Sequence, residues 1–133
     1  MYFINEQGIE ITTWFSFSGM MITDMMAYYQ QTSTTFYVLA LENSEISLAR
    51  KPDLEALYEK SADLAHFGRL YAEKALLTTM RRMLDFQTKT AEQRYLDLLS
   101  KPEFMQKIPL KYLASYLGIT DSSLSRIRAQ VNR

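Results

Sequence analysis

Residues 108–133 read IPLKYLASYLGITDSSLSRIRAQVNR, and the reading of this stretch decides the fold. Leu110, Leu113, Ala114 and Leu117 recur at the spacing of one helix face. Gly118 can adopt the left-handed backbone that stops a helix, and Thr120 is a good N-cap for a second one. On that second helix Leu124, Ile127 and Val131 form the inward stripe. Two short helices crossing at a steep angle need a small residue at the contact and a glycine at the turn, and Ala114 and Gly118 supply both.

Burial of that stripe turns Ser122, Ser125, Arg126, Ala129 and Arg133 outward, with Ser123 near the N-terminal tip. This is a DNA-reading surface in type. Arginine can pair in bidentate fashion with guanine, serine hydroxyls can bond phosphates or base edges, and a helix N-terminus favours a phosphate. Lys111 opens the preceding helix, where it could contact the backbone across a groove. The candidate DNA-binding set is Lys111, Thr120, Ser122, Ser123, Ser125, Arg126 and Arg128. The competing reading is a helical hairpin that only caps the core, which has no need to expose arginines and serines beside a helix tip.

The charge distribution points the same way. From Gln106 onward Lys107, Lys111, Arg126, Arg128 and Arg133 face Asp121 alone, a net +4, so the first 105 residues of a formally neutral chain carry −4. A basic end on an acidic protein suits a polyanion. With 133 residues and 47% hydrophobic content the chain can bury a core of about one domain. Absence of cysteine removes disulfides, thiolate nucleophiles and Cys-based zinc sites. No run approaches the roughly 20 apolar residues of a spanning helix, and the start lacks the order of a signal peptide. The expectation is a soluble, cytoplasmic protein without a membrane partner.

Upstream the chain reads in three parts: 1–60, 61–88 and 89–133. In the first, YFINEQGIEITTWF (2–15) carries a turn signal, Asn5-Glu6-Gln7-Gly8, between two strand-like runs, which predicts a hairpin. Phe36 and Val38 share a face in a third run, and a turn at Glu42-Asn43-Ser44 leads to a short strand over Ile46 to Ala49. ITDMMAYYQQ (22–31) reads as a helical turn or loop. Pro52 and Asp53 open a helical region that breaks near Ser61.

From about Ala62 to Gln87, apolar residues recur at three, four and seven. Phe67, Leu70, Leu77, Met80 and Leu84 form a candidate dimer seam, with Glu73 and Gln87 interrupting it. The alternative is a helix packed on its own domain, but one this long outruns the small sheet available to cover it. In the third part, TAEQRYLDLLSKPEF (90–104) places Tyr95, Leu98 and Leu99 at helical spacing, closed by Lys101-Pro102.

EQRYLDLLSKPEFMQKIPLKYLASYLGITDSSLSRIR closely resembles the DNA-binding region of the Crp/Fnr family of bacterial transcription regulators, its short Bacteroidetes-type members above all. NEQGIEITTWF resembles the middle hairpin of that family's cyclic-nucleotide-binding β-roll, and DLEALYEKSADLAHFGRL the segment entering its dimerisation helix. The resemblance implies an α+β fold: a partial, jelly-roll-like β-roll, a long dimerisation helix and a C-terminal helix-turn-helix without a clear wing. It implies a homodimeric regulator of double-stranded DNA in which an effector shifts the long helices and paired recognition helices enter successive major grooves.

Several family features are altered. The Gly-Glu pair that binds ribose and the Arg-Ser pair that binds the cyclic phosphate fall on positions where Asp24 replaces the glutamate, Thr34 the arginine and Thr35 the serine. Asp24, Thr34 and Thr35 are therefore the candidate effector residues, but without a guanidinium a cyclic phosphate loses its charge-assisted partner, so the effector is unknown and not expected to be a cyclic nucleotide. The first half of the roll is missing, as in a fragment, a truncated frame or a half-roll completed across a dimer. Ser122 stands where the best-known members place an acidic base-reading residue, whereas Arg126 matches the family arginine.

No constellation for catalysis emerges, and neither a cofactor nor a metal is expected. His66 is the sole histidine, glycines are few and unclustered, and the methionines and the aromatic residues around Tyr28 and Phe36 read as core before ligand cage. The expectation is a non-enzymatic Crp/Fnr-type regulator acting as a homodimer. The alternative is a dimerising interaction or decoy fragment that pairs with full-length relatives without binding DNA itself.

Overall fold

The computed structural model describes residues 1–131, and the expectation for Arg133 lies outside them. The chain is α+β and helix-rich: β1 (Tyr2–Ile4), β2 (Glu10–Thr12), α1 (Met25–Gln30), α2 (Lys51–Lys60), α3 (Ala62–Thr88), α4 (Ala91–Leu99), α5 (Pro102–Lys107), α6 (Leu110–Leu117) and α7 (Asp121–Val131). It divides into two compact units. One joins the segments up to Asn43 and from Thr90 onward, and the other spans Ser44–Lys89.

In the first unit β1 and β2 form an antiparallel hairpin, with Tyr2 opposite Thr12, Phe3 opposite Ile11 and Ile4 opposite Glu10. Its turn is built by Asn5, whose side-chain oxygen accepts from the amides of Gln7 (3.0 Å) and Ile9 (2.9 Å). Gly8 closes it with φ of 76°, a backbone that costs little without a Cβ.

The expected sheet of about four strands reduces, among the described residues, to this pair and one isolated bridge between Tyr2 and Tyr37. The third run is held there by reciprocal backbone bonds of 3.0 and 2.8 Å and by stacking of the two tyrosine rings. Ile46 to Ala49 forms no strand, and Ile46 and Leu48 are exposed. β-branched residues favour a strand only where a partner edge and a covered face exist, and here neither is supplied.

The helices follow their caps. Thr90 and Gln93 form a reciprocal capping box at the start of α4. Pro102 occupies the first turn of α5, a short helix where the sequence suggested only a stop. At the end of α6, Gly118 adopts φ of 72°. Its amide donates to Ser115 O and that of Ile119 to Ala114 O, the bond pair of a Schellman turn. Thr120 then caps α7 by accepting from Ser123 N at 3.2 Å.

The core of this unit is Tyr95, Leu98, Phe104, Ile108, Leu113, Ala114, Leu117 and Leu124, with Ala114 and Leu124 fully buried. Ile127 and Val131 pack against it half-buried, as the α7 stripe predicts. Burial of one such leucine contributes about 1.5–3 kcal/mol. Phe15 and Phe17, which follow β2, add their rings to Phe104 at 5.7 and 5.1 Å, and Phe15 meets Tyr116 at 5.1 Å. Long-range polar ties add to this packing. Thr12 N donates to Ser115 Oγ at 2.9 Å, and Arg94 Nη2 donates to Leu117 O at 2.9 Å, placing a cation on the negative end of α6.

The second unit is α2 against α3. Ser61 ends the first and caps the second: its amide donates to Leu57 O, and its hydroxyl accepts from Leu64 N at 3.3 Å. The two helices meet at Gly68, where an added Cβ would lie 2.7 Å from the Tyr58 hydroxyl and 2.8 Å from the adjoining ring carbon. No residue of α3 is buried within the chain.

That contact sets two opposed effects on a Gly68→Ala change. Helix propensity favours alanine by about 1 kcal/mol, whereas the methyl group displaces the Tyr58 ring from α3. In a Tyr58→Ala background only the first effect operates. Urea denaturation monitored by circular dichroism is expected to show Gly68→Ala stabilising there by about 1 kcal/mol, and stabilising less, or destabilising, in the parent.

Candidate functional site

The site grows from the way α6 and α7 are joined. Leu124 turns one side of α7 into the core, and the opposite side carries Ser122, Arg126 and Ala129, all exposed, with Ser125 exposed beside them. Arg128 is exposed as well, but helix geometry sets it about 160° around the axis from Arg126, on the flank of the buried stripe. Arg126 therefore shares its side of the helix with Ser122 and Ser123, whereas Arg128 neighbours Ser125 alone.

At the N-terminal end of α7 the polar groups are mutually bonded. Thr120 Oγ1 lies 3.1 Å from Ser122 Oγ and donates to Ser123 Oγ at 2.9 Å; Arg126 Nη2 donates to the same Ser123 oxygen at 3.3 Å. Ser123 thus accepts from one of the two terminal nitrogens of the Arg126 guanidinium. Lys111, exposed on α6, is 3.5 Å from the Glu10 carboxylate and 5.5 Å from the centre of the Tyr112 ring. The arrangement offers one arginine and several hydroxyls along a helix, with a lysine on the helix before it, a set suited to phosphate and guanine and lacking a nucleophile-base pair.

Three residues that shape this site carried no sequence signal. Glu10 and Ser115 are about a hundred residues apart in the chain, yet Ser115 Oγ accepts from Thr12 N and donates to Glu10 O at 3.3 Å. Arg94 reads as an ordinary surface cation on α4 until its bond to Leu117 O places it under the turn. Only the fact that Ser115 lies one turn from Lys111, on the same side of α6, could have pointed to a shared contact.

The candidate effector residues are brought together in part. Thr34 Oγ1 donates to one Asp24 oxygen at 2.7 Å, while the other oxygen accepts from Met26 N at 3.0 Å and Ala27 N at 3.2 Å as the cap of α1. Thr35 is exposed. Asp24 is thereby engaged as a local cap. His66 lies 3.3 Å from an Arg69 nitrogen on the exposed side of α3, and Arg69 also pairs with Glu73. Among the described residues no group of three His, Asp or Glu side chains is placed to hold a metal ion, and no helix is long and apolar enough to cross a membrane.

The seam residues Phe67, Leu70, Leu77, Met80 and Leu84 are all exposed on α3, together with Leu64, Leu76, Met83 and Phe86. A shallow groove beside Leu70 and Leu77 is edged by Glu73, Lys74 and Arg81. α3 thus presents uncovered apolar surface along most of its length.

The Thr34 hydroxyl bond holds the Asp24 carboxyl below its ordinary value; desolvation opposes it, and the amides of Ala27 and Met26 add smaller lowering effects. A depressed folded pKa means that this cap contributes fully above the unfolded value of about 4 and is lost as pH falls through the folded one. A carboxyl-detected NMR titration is expected to place the Asp24 midpoint below that of an ordinary aspartate, and Thr34→Val to move it upward.

No family model, curated protein or solved structure matches the chain.

Proposed function

We propose that this chain is a DNA-binding transcription regulator of the Crp/Fnr type, acting as a homodimer in the cytoplasm and reading double-stranded DNA through a helix-turn-helix formed by α6 and α7. The observation that carries the reading is the division of α7 into a fully buried Leu124 side and an exposed side bearing Ser122, Ser125 and Arg126. The sequence resemblance over 92–128 assigns the same residues to a reading head and the N-terminal hairpin to part of a cyclic-nucleotide-binding-like roll.

In this reading α7 lies in the major groove. Arg126 donates two bonds to the O6 and N7 atoms of a guanine, and Ser122 and Ser125 bond neighbouring base edges or phosphates. The helix N-terminus at Ser123 faces a phosphate, and Lys111 holds the backbone from α6. Two copies joined along α3 would present two such helices, so the operator would be an inverted repeat with half-sites about one helical turn apart. The exposed row of Phe67, Leu70, Leu77, Met80 and Leu84 supports α3 as the seam, since a contiguous apolar ridge needs a cover. No cofactor or catalytic step belongs to the reading, and the effector, if there is one, is not a cyclic nucleotide, because Asp24 and Thr34 offer no cation to a phosphate.

The same α3 ridge favours one second reading, a dimerising decoy that pairs with longer relatives and leaves DNA unread. Titration of labelled duplex selected from a random pool separates the two. Arg126→Ala is expected to weaken specific binding by about 1–3 kcal/mol and to relax preference at one base position. Lys111→Ala is expected to weaken binding to all sequences alike. Absence of any duplex binding by the parent, with dimerisation intact, supports the decoy.

The seam is tested separately. Light scattering is expected to give twice the chain mass for the parent, and the mass of one chain for Leu77→Glu, because a charge in the centre of an apolar seam has no partner. A parent that stays monomeric at tens of micromolar overturns the dimer.

A further inference from the structure

The β1–β2 hairpin is seated on α6, the helix that precedes α7, and it is anchored there without help from charge. Thr12 is buried, its amide donates to Ser115 Oγ at 2.9 Å, and the same hydroxyl donates to Glu10 O at 3.3 Å. Phe15, three residues beyond Thr12, packs against Tyr116 and Phe104. These contacts fix β2 along the side of α6 that carries Ser115 and, one turn earlier, Lys111. The Glu10 carboxylate consequently sits 3.5 Å from Lys111 Nζ.

An exposed ion pair of this kind adds little to stability. The Lys111 and Glu10 side chains retain 66% and 42% of their accessible surface, so the pair does not hold the hairpin down; the hairpin holds the carboxylate up. Lys111 is also the cation assigned above to the DNA backbone. A phosphate reaching it must displace a carboxylate that the fold keeps in place, and must approach a second anion while doing so.

We propose that Glu10 is a built-in phosphate mimic, by which the N-terminal hairpin restrains DNA binding through Lys111. This rests on the DNA-binding reading of α6 and α7. The restraint is general, because phosphate contacts carry no sequence information. It acts on affinity for every duplex and leaves the preference read by Arg126 unchanged. Movement of the hairpin away from α6, or neutralisation of Glu10, frees one cation and removes one anion at the backbone contact.

The experiment is a titration of fluorescent duplex with the full chain, its Glu10→Gln variant, Lys111→Ala, and the double variant, between about 50 and 200 mM salt. Glu10→Gln retains the backbone carbonyl that Ser115 uses, and circular dichroism checks that the variants fold. Expected is a gain on the order of fivefold in affinity at low salt for Glu10→Gln, equal for specific and random duplex. The slope of log affinity against log salt should steepen by about 0.9, the value for one added phosphate contact. In the Lys111→Ala background the gain should shrink to about twofold or less.

Unchanged affinity of Glu10→Gln, with the parent binding duplex normally, overturns the restraint and leaves the DNA-binding reading intact. An equal gain with and without Lys111 overturns it as well, since Glu10 would then act only as one surface charge among many. Failure of the parent and every variant to bind duplex overturns the DNA-binding reading, and the restraint with it.

Discussion

The turn at Gly118 is the constraint on which the rest of the described C-terminal helices depends. Its left-handed backbone lets α6 finish and α7 begin within three residues, so the two helices must come together almost at once. That approach is possible because Ala114 brings no bulk to the contact and Leu124 fills the space beyond it, both without solvent exposure. Once Leu124 is committed to the core, a rotation of α7 is no longer free. The positions of Ser122, Ser125 and Arg126 follow from packing on the opposite side of the helix. A surface with a proposed role in recognition is thus set by a buried apolar contact and a single backbone conformation.

Around that turn the chain uses few long-range polar bonds, each with more than one consequence. Arg94 ties α4 to the Leu117 carbonyl at the end of α6 and supplies a positive charge where the helix end is negative. Ser115 accepts from one residue of β2 and donates to another, so one hydroxyl fixes both the position and the register of the hairpin. Rings from Phe15, Phe17, Phe104 and Tyr116 then exclude water from the same side. The hairpin is too short to be stable as an isolated ribbon, and the helices give it the apolar surface that a two-stranded sheet lacks.

The helical unit of α2 and α3 is built on a different balance. Within it α2 covers one side of α3 near Gly68 and Tyr58, and the remaining apolar side chains stay in contact with water. Capping at Ser61 and the ion pairs of Lys51 with Glu55 and Asp85 with Lys89 support the helices locally. Such pairs are worth only a few tenths of a kcal/mol each, about 0.2–0.5. They define where the helices run without compensating the exposed leucines and methionines, which is why association along α3 enters the functional reading.

Residue pattern by itself determined the longer helices, because each signal that begins or ends a helix lies within a turn or so of the end it marks, whereas α5 was legible only as a stop at Lys101-Pro102. The break near Ser61, the stop at Gly118 and the cap at Thr120 could be read in place, and so could the inward stripe of Leu113, Ala114, Leu117 and Leu124 with the outward serines and Arg126. The strands were legible only at the hairpin, where Asn5 and Gly8 close the turn locally. Phe36 to Ala40 and Ile46 to Ala49 have strand composition, but a strand needs an edge to pair with, and no local feature says whether one exists. Only the tertiary structure decided that the hairpin rests on α6, that Glu10 meets Lys111 and that Asp24 is engaged by Thr34 and its own helix. The first of these joins residues about a hundred positions apart, and a contact at that separation is selected by the packing of the whole unit, which no short window of sequence contains.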